Sequence, residues 1–92
     1  GVISVTANVA PRLCAEFMAA CLAGDFARAL GYQDRLFALH NAMFTDASPG
    51  PVKYALNRLR PEFSAELRLP MTEPDAASRA AVDAAMGHAG LI

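Results

Sequence analysis

The stretch DFARALGYQDRLFALHNAMF, residues 25–44, is the longest proline-free segment whose apolar residues recur at helical spacing. Intervals of three and four place these residues on one stripe of a helix with ~3.6 residues per turn. The stripe comprises Phe26, Ala29, Leu30, Leu36, Phe37, His40, Met43 and Phe44, and Tyr32 and Leu39 widen it. Asp25 can cap the first turn. We therefore predict a central helix over residues 25–44, against which the other segments pack.

Length and composition favour one small domain. The chain has 92 residues, of which 54% are hydrophobic and 18% charged, and its net charge is -1. These values argue against a basic nucleic-acid-binding protein and against a disordered acidic tail. No apolar run approaches the ~20 residues of a membrane span, and no basic residue precedes the apolar N-terminus as in a signal peptide. We expect a cytoplasmic protein with no nucleic-acid or membrane partner.

Three further helices are predicted around the central one. Pro11 fits a first helical turn and opens a helix over residues 11–23, which Gly24 can end in a left-handed conformation. Proline and capping signals place the other two helices at residues 51–60 and at residues 74–89. Because the links are short, the pattern predicts an antiparallel helical bundle.

The N-terminal residues 1–6, GVISVT, predict a short buried strand. Their β-branched residues and near-continuous apolarity are typical of a parallel strand that is covered on both faces. A parallel strand needs neighbouring strands, and no later segment predicts one. The predicted fold class is therefore mainly α, an antiparallel helical bundle with one short N-terminal strand that forms part of something larger.

Residue types alone reveal no catalytic constellation. Ser4, His40 and Asp46 have the chemistry of a triad, but the sequence gives them no mutual geometry, and we interpret His40 as a hydrogen-bonded core histidine. Lys53 opens a helix after a turn, where solvent exposure is expected and the desolvated pocket of a nucleophilic lysine is not. Residues 3–8 would border an active site if the strand belongs to a barrel, although an ordinary buried strand is equally compatible.

The two cysteines are interpreted as structural thiols. Cys14 and Cys21 lie seven residues apart on one predicted helix, so their Cα atoms are about 10 Å apart along its axis. That separation excludes a mutual disulfide. His40 and His88 show no metal-ligand spacing to them or to each other. We expect no metal and no cofactor in this chain.

Five blocks of the sequence resemble a known family. GVISVTANVAP, RLFALHNAMF, SPGPVKYAL, LRLPMT and GHAGLI occur here in that order. Their order and approximate spacing are similar to those of the C-terminal part of dihydrodipicolinate synthases, also called 4-hydroxy-tetrahydrodipicolinate synthases. The resemblance runs from Gly1 to Ile92 but covers only about the last third of such an enzyme. The family often has asparagine where this chain has Ser48, a departure that affects a helix cap and not the chemistry.

The resemblance implies a TIM (β/α)8 barrel followed by a C-terminal helical region. Because a whole barrel needs roughly 250 residues, this chain cannot contain one. By resemblance, residues 1–24 correspond to the last strand and helix of the barrel, and residues 25–92 to the C-terminal helical region.

The resemblance also implies an activity for the complete enzyme. The family condenses pyruvate with aspartate semialdehyde in lysine biosynthesis, using a lysine Schiff base and a tyrosine proton relay that lie upstream of the matched part. Lys53, Tyr32 and Tyr54 do not match those residues, so no catalytic residue is expected in this chain. Ile3 matches the last-strand residue that borders the pyruvate site through its main chain.

Two other functions stay open at this point. One is a sister pyruvate-dependent aldolase that acts on sugar acids, although LRLPMT and HAGLI favour the synthase. The other is a non-enzymatic helical interaction module. Without neighbouring strands, GVISVT either pairs with another copy or loses strand geometry. The bare face of the first helix adds an exposed apolar patch, so we expect self-association and a homo-oligomer.

Overall fold

The computed structural model describes all 92 residues, and its regular elements are four α-helices and one 3-10 turn. The 3-10 turn covers Thr6–Asn8, and the helices are α1 (Pro11–Leu22), α2 (Phe26–Ala42), α3 (Gly50–Leu59) and α4 (Ala76–Ala89). The four predicted helices are confirmed, each end within two residues of its predicted place. None of them combines the length and the hydropathy needed to cross a membrane.

The reversal between α1 and α2 follows from three residues of local sequence. Gly24 has φ of 73°, and its N–H donates to the Cys21 carbonyl at 3.1 Å while Asp25 N–H donates to the Ala20 carbonyl at 3.0 Å. These bonds satisfy carbonyls that the end of α1 leaves unpaired. The Asp25 carboxylate then accepts from Arg28 N–H at 3.1 Å and caps α2. The chain therefore turns back within one short link.

The core lies where α2 packs against α1 and α4, with α3 closing it against α4 and the 3-10 turn. Leu39, Met43, Val82 and Met86 have no exposed surface at all. The complete buried cluster comprises Val9, Ala10, Leu13, Leu36, Leu39, Ala42, Met43, Val52, Ala55, Val82, Ala85, Met86 and Ala89. Since α4 contributes small residues next to Val82 and Met86, its backbone can approach α2 closely.

The apolar arc of α2 is wider than the bundle can cover. Leu39, predicted at the edge of the stripe, is completely buried, whereas one side of the predicted stripe faces solvent. We call that side the outer stripe: Phe26 (71% exposed), Leu30 (60%), Phe37 (57%) and Phe44 (63%). The prediction that these four residues pack in the core is wrong for this chain. Helical spacing shows which residues share one side of a helix, but it does not show how much of that side other elements cover.

The N-terminal strand predicted over residues 1–6 is not formed. Residues 1–4 have no regular structure, and the 3-10 turn begins at Thr6. The physical reason is that a strand is held by hydrogen bonds to a neighbouring strand, and the chain supplies none. The predicted fold class is therefore confirmed for its helical bundle and not for its strand.

The two sides of α2 differ enough for a matched pair of substitutions. Leu39→Ala opens a cavity at a fully buried position and should lower the free energy of unfolding by about 2–5 kcal/mol. Leu30→Ala removes the same atoms from the same helix at an exposed position and should cost less than about 1 kcal/mol. Urea unfolding, monitored by circular dichroism, measures both changes. Equal losses of unfolding free energy would contradict the placement of Leu39 in the core and Leu30 on the surface.

Candidate functional site

The residue predicted to border a substrate, Ile3, lies in the irregular N-terminal segment. Its side chain is completely exposed, and its main chain makes no hydrogen bond within the chain. The hydrogen bonds of the segment itself are local: Ala7 N–H donates to Ser4 Oγ at 3.1 Å, and Asn8 N–H donates to the Val5 carbonyl at 3.1 Å. The backbone around Ile3 is thus free to contact another group.

A pocket of about 250 Å³ lies beneath this segment, between it and helices α1 and α2. Its walls are Gly1, Val2, Ser4, Cys14, Phe17, Met18, Leu36 and His40. Burial raises the pKa of the Cys14 thiol above its ordinary value, and a hydrogen bond with Ser4 offsets part of that rise. A raised pKa keeps the thiol protonated at neutral pH, so Cys14 is a poor nucleophile.

One contact ties the N-terminal residues to α2. The Thr6 hydroxyl lies 2.7 Å from His40 Nδ1, a hydrogen bond between residues 34 positions apart. Thr6 is only 2% exposed, and His40 is half-buried in the last turn of α2. The interpretation of His40 as a hydrogen-bonded histidine is confirmed, but its partner Thr6 was not anticipated, because residues 1–6 were assigned to a strand.

The residues with triad chemistry are not brought together. Ser4 and His40 line the same pocket, but His40 Nδ1 is occupied by Thr6. Asp46 lies in the loop between α2 and α3, where its carboxylate accepts from Ala47 N–H at 2.8 Å and from Asp75 N–H at 3.2 Å. Asp46 therefore fixes the start of α4 and does not orient an imidazole.

The remaining candidate side chains are bonded within the bundle. Lys53 Nζ donates to the Glu66 carbonyl. The Tyr32 hydroxyl donates to Glu16 at 2.9 Å and so joins α1 to α2. Tyr54 donates to both carboxylate oxygens of Asp83, at 3.1 and 3.0 Å, and joins α3 to α4. No group of three or more metal-binding side chains is present. The site therefore offers the unbonded backbone of Ile3, next to a 3-10 turn that is anchored to His40. It brings together no pair of nucleophile and base.

Comparison with known proteins identifies the family. The model of the dihydrodipicolinate synthetase family matches residues 1–89. This chain belongs to that family. The resemblance inferred from the five sequence blocks is confirmed.

Two curated members of the dihydrodipicolinate synthetase family show how closely and how far the chain matches. The 4-hydroxy-tetrahydrodipicolinate synthase of Rhizorhabdus wittichii is 68% identical over 91 residues, which are 99% of this chain and 31% of the relative. That of Sphingopyxis alaskensis is 65% identical over 92 residues, 100% of this chain and 32% of the relative. The chain thus spans about a third of the length of the curated relatives it matches.

Solved structures of the family share the fold of the whole chain. A crystal structure of a dihydrodipicolinate synthase superposes with a TM-score of 0.89 at 39% identity, over 100% of this chain and 32% of its own. A monomeric dihydrodipicolinate synthase variant gives a TM-score of 0.92 at 33% identity, over 100% of this chain and 30% of its own. The bundle is therefore the fold that this portion adopts within longer family members.

The Tyr54–Asp83 contact predicts a stability loss at alkaline pH. Burial, and then the hydrogen bond to Asp83, raise the pKa of Tyr54 above its ordinary value of 10.0. Because the pKa is raised on folding, the hydroxyl contributes its stability fully below pH 10 and loses it as the pH rises through the folded pKa.

The variant Tyr54→Phe, which lacks the hydroxyl, tests this pH dependence of stability. At pH near 8 it should lower the free energy of unfolding by about 1 kcal/mol, the net contribution of an ordinary hydrogen bond. As the pH rises from 10 through the raised pKa of folded Tyr54, the two proteins should converge in urea unfolding. A difference that stays constant with pH would contradict the role given to the hydroxyl.

Proposed function

We propose that this chain forms the C-terminal third of a 4-hydroxy-tetrahydrodipicolinate synthase, whose complete chain condenses pyruvate with aspartate semialdehyde through a lysine Schiff base. The observation that carries the proposal is the 68% identity over 91 residues with the synthase of Rhizorhabdus wittichii. A shared fold would not by itself imply a shared function, because one fold supports many activities. Identity at this level along 99% of the chain is a much stronger argument.

The proposal divides the chain into two parts. Residues 1–24 would supply the last strand and helix of a TIM barrel, and residues 25–92 the C-terminal helical region. The irregular state of residues 1–4 is compatible with this division, because a last barrel strand acquires its hydrogen bonds only from the strands on either side. In the complete enzyme we expect these residues to become a parallel strand.

The exposed apolar surface fits the same proposal. Val2 is 70% exposed and Ile3 completely exposed, and the outer stripe of α2 adds four large apolar side chains. Contiguous apolar patches of this kind are rare on soluble monomers and mark interaction sites. We propose that the preceding part of the synthase covers them, and that the complete enzyme is a homo-oligomer.

Within the active site this chain would contribute a main-chain contact to the substrate and no catalytic side chain. By resemblance, the main chain of Ile3 borders pyruvate, and its N–H and C=O are free of partners within the chain. The Schiff-base lysine and the relay tyrosines would come from the preceding part. Lys53, bonded to the Glu66 carbonyl, is not proposed as a nucleophile.

A chimera tests this function directly. The matching residues of the Rhizorhabdus wittichii synthase would be replaced by this chain, and condensation of pyruvate with aspartate semialdehyde would be measured. Because every group that touches the reacting atoms is retained, we expect kcat/KM within about tenfold of the parent, a difference of about 1.4 kcal/mol in activation free energy.

Two controls show whether turnover requires both parts of the chimera. The relative truncated before the exchanged segment, and this chain alone, should both show no turnover. A chimera that is folded by circular dichroism but inactive would contradict the proposal. It would favour the helical interaction module instead, with the outer stripe as its binding surface.

A further inference from the structure

The Thr6–His40 pair is the one polar contact that fixes the N-terminal residues relative to α2. The 2.7 Å hydrogen bond joins the hydroxyl of Thr6, a residue that is 2% exposed, to a ring nitrogen of His40 in the last turn of the helix. All other hydrogen bonds of residues 1–8 reach no further than α1. The position of this segment therefore depends on the Thr6 hydrogen bond, on the packing of Val5 against the core and on the contacts of the 3-10 turn with α1 and α3.

The helix end of this contact is rigid. His40 follows Leu39, which is completely buried, and precedes Met43, which is also completely buried. A side chain on a packed helix holds a more defined position than one on a loop. His40 thus offers Thr6 an anchor whose place is set by the core.

The other end lies close to the proposed substrate contact. Ile3 is three residues before Thr6, so its backbone lies no more than about 11 Å along the chain from the anchored hydroxyl. A displacement of Thr6 would therefore shift the Ile3 main chain. A side chain could offset such a shift by changing its rotamer, but a main-chain atom cannot.

We infer that His40, acting through the hydroxyl of Thr6, is a positioning residue that sets the Ile3 backbone against pyruvate in the complete synthase. This inference rests on the proposed function. His40 touches no substrate in this account, and its effect is transmitted by one hydrogen bond and three residues of chain.

The test uses the active chimera and four single variants. Thr6→Val and His40→Leu remove the hydrogen bond with little change in size, and each should raise the KM for pyruvate about three- to tenfold, the range that an ordinary hydrogen bond implies. The kcat should change less than twofold. Thr6→Ser keeps the hydroxyl, and His40→Asn keeps a polar atom near the place of Nδ1, so both should restore a normal KM.

Two further measurements separate positioning from general stability. The double variant Thr6→Val/His40→Leu should be no worse than either single variant, because both remove the same bond. His88→Leu is the matched control: His88 Nε2 lies 2.9 Å from the Asp34 carbonyl on the surface of the bundle, and its loss should leave the KM for pyruvate unchanged.

The other possible results overturn either the role of His40 or the proposed function. Folded Thr6→Val and His40→Leu chimeras with an unchanged KM, or additive effects in the double variant, would overturn the inference and leave the proposed function intact. A chimera that is inactive before any substitution would overturn the proposed function, and the inference with it. If a variant does not fold in the chimera, heteronuclear NOEs of the isolated chain decide: Thr6→Val should increase the mobility of the backbone amides of residues 6–8, in the 3-10 turn, and unchanged values would overturn the inference.

Discussion

The buried face of α2 is the constraint on which the other elements depend. Leu36, Leu39 and Met43 are at most 1% exposed and form the surface against which α1 and α4 pack. Apolar burial of this kind is the dominant favourable contribution to folding in a chain of this size. The polar contacts between helices, such as Tyr32 with Glu16 and Tyr54 with Asp83, then fix the orientation of elements that the core has already brought together.

The same helix gives the chain two surfaces with different roles. Its inner face packs against α1 and α4, whereas the outer stripe and residues 1–3 are exposed. A chain that spans about a third of its relatives would show this division, because surface that is buried in the longer protein is exposed in the part. The Thr6–His40 bond lies where the two surfaces meet and links the core to the segment that we place in the active site.

The sequence predicted what local chemistry decides. Asp25 caps α2, and Gly24 and Gly90 end α1 and α4 in left-handed conformations, so these helix bounds were predicted closely. The start of α4 was predicted two residues early, because Asp75 caps this helix. The strand and the outer stripe were not, because each depends on neighbours far away in the chain or outside it. On α4, too, helical spacing predicts the wrong face, because a helix rich in alanine leaves its orientation to its neighbours. The predicted face is Ala77, Ala81, Ala84, Ala85 and His88, whereas the buried residues are Ser78, Val82, Ala85, Met86 and Ala89. Ile3 came from resemblance alone, and a contact over 34 positions such as Thr6–His40 leaves no trace in residue spacing.

Native-state hydrogen exchange of the isolated chain can show whether the buried face of α2 holds the bundle together, because it reports the stability of each segment separately. We expect the slowest exchange for the backbone amides of residues 36–42 in α2 and for those of residues 82–89 in α4. For residues 2–4 we expect exchange at the rate of an unstructured peptide. Rapid exchange throughout α2 would show that the bundle is not stable on its own. Strong protection of residues 2–4 would show that the N-terminal segment has found a partner strand that this structure does not contain.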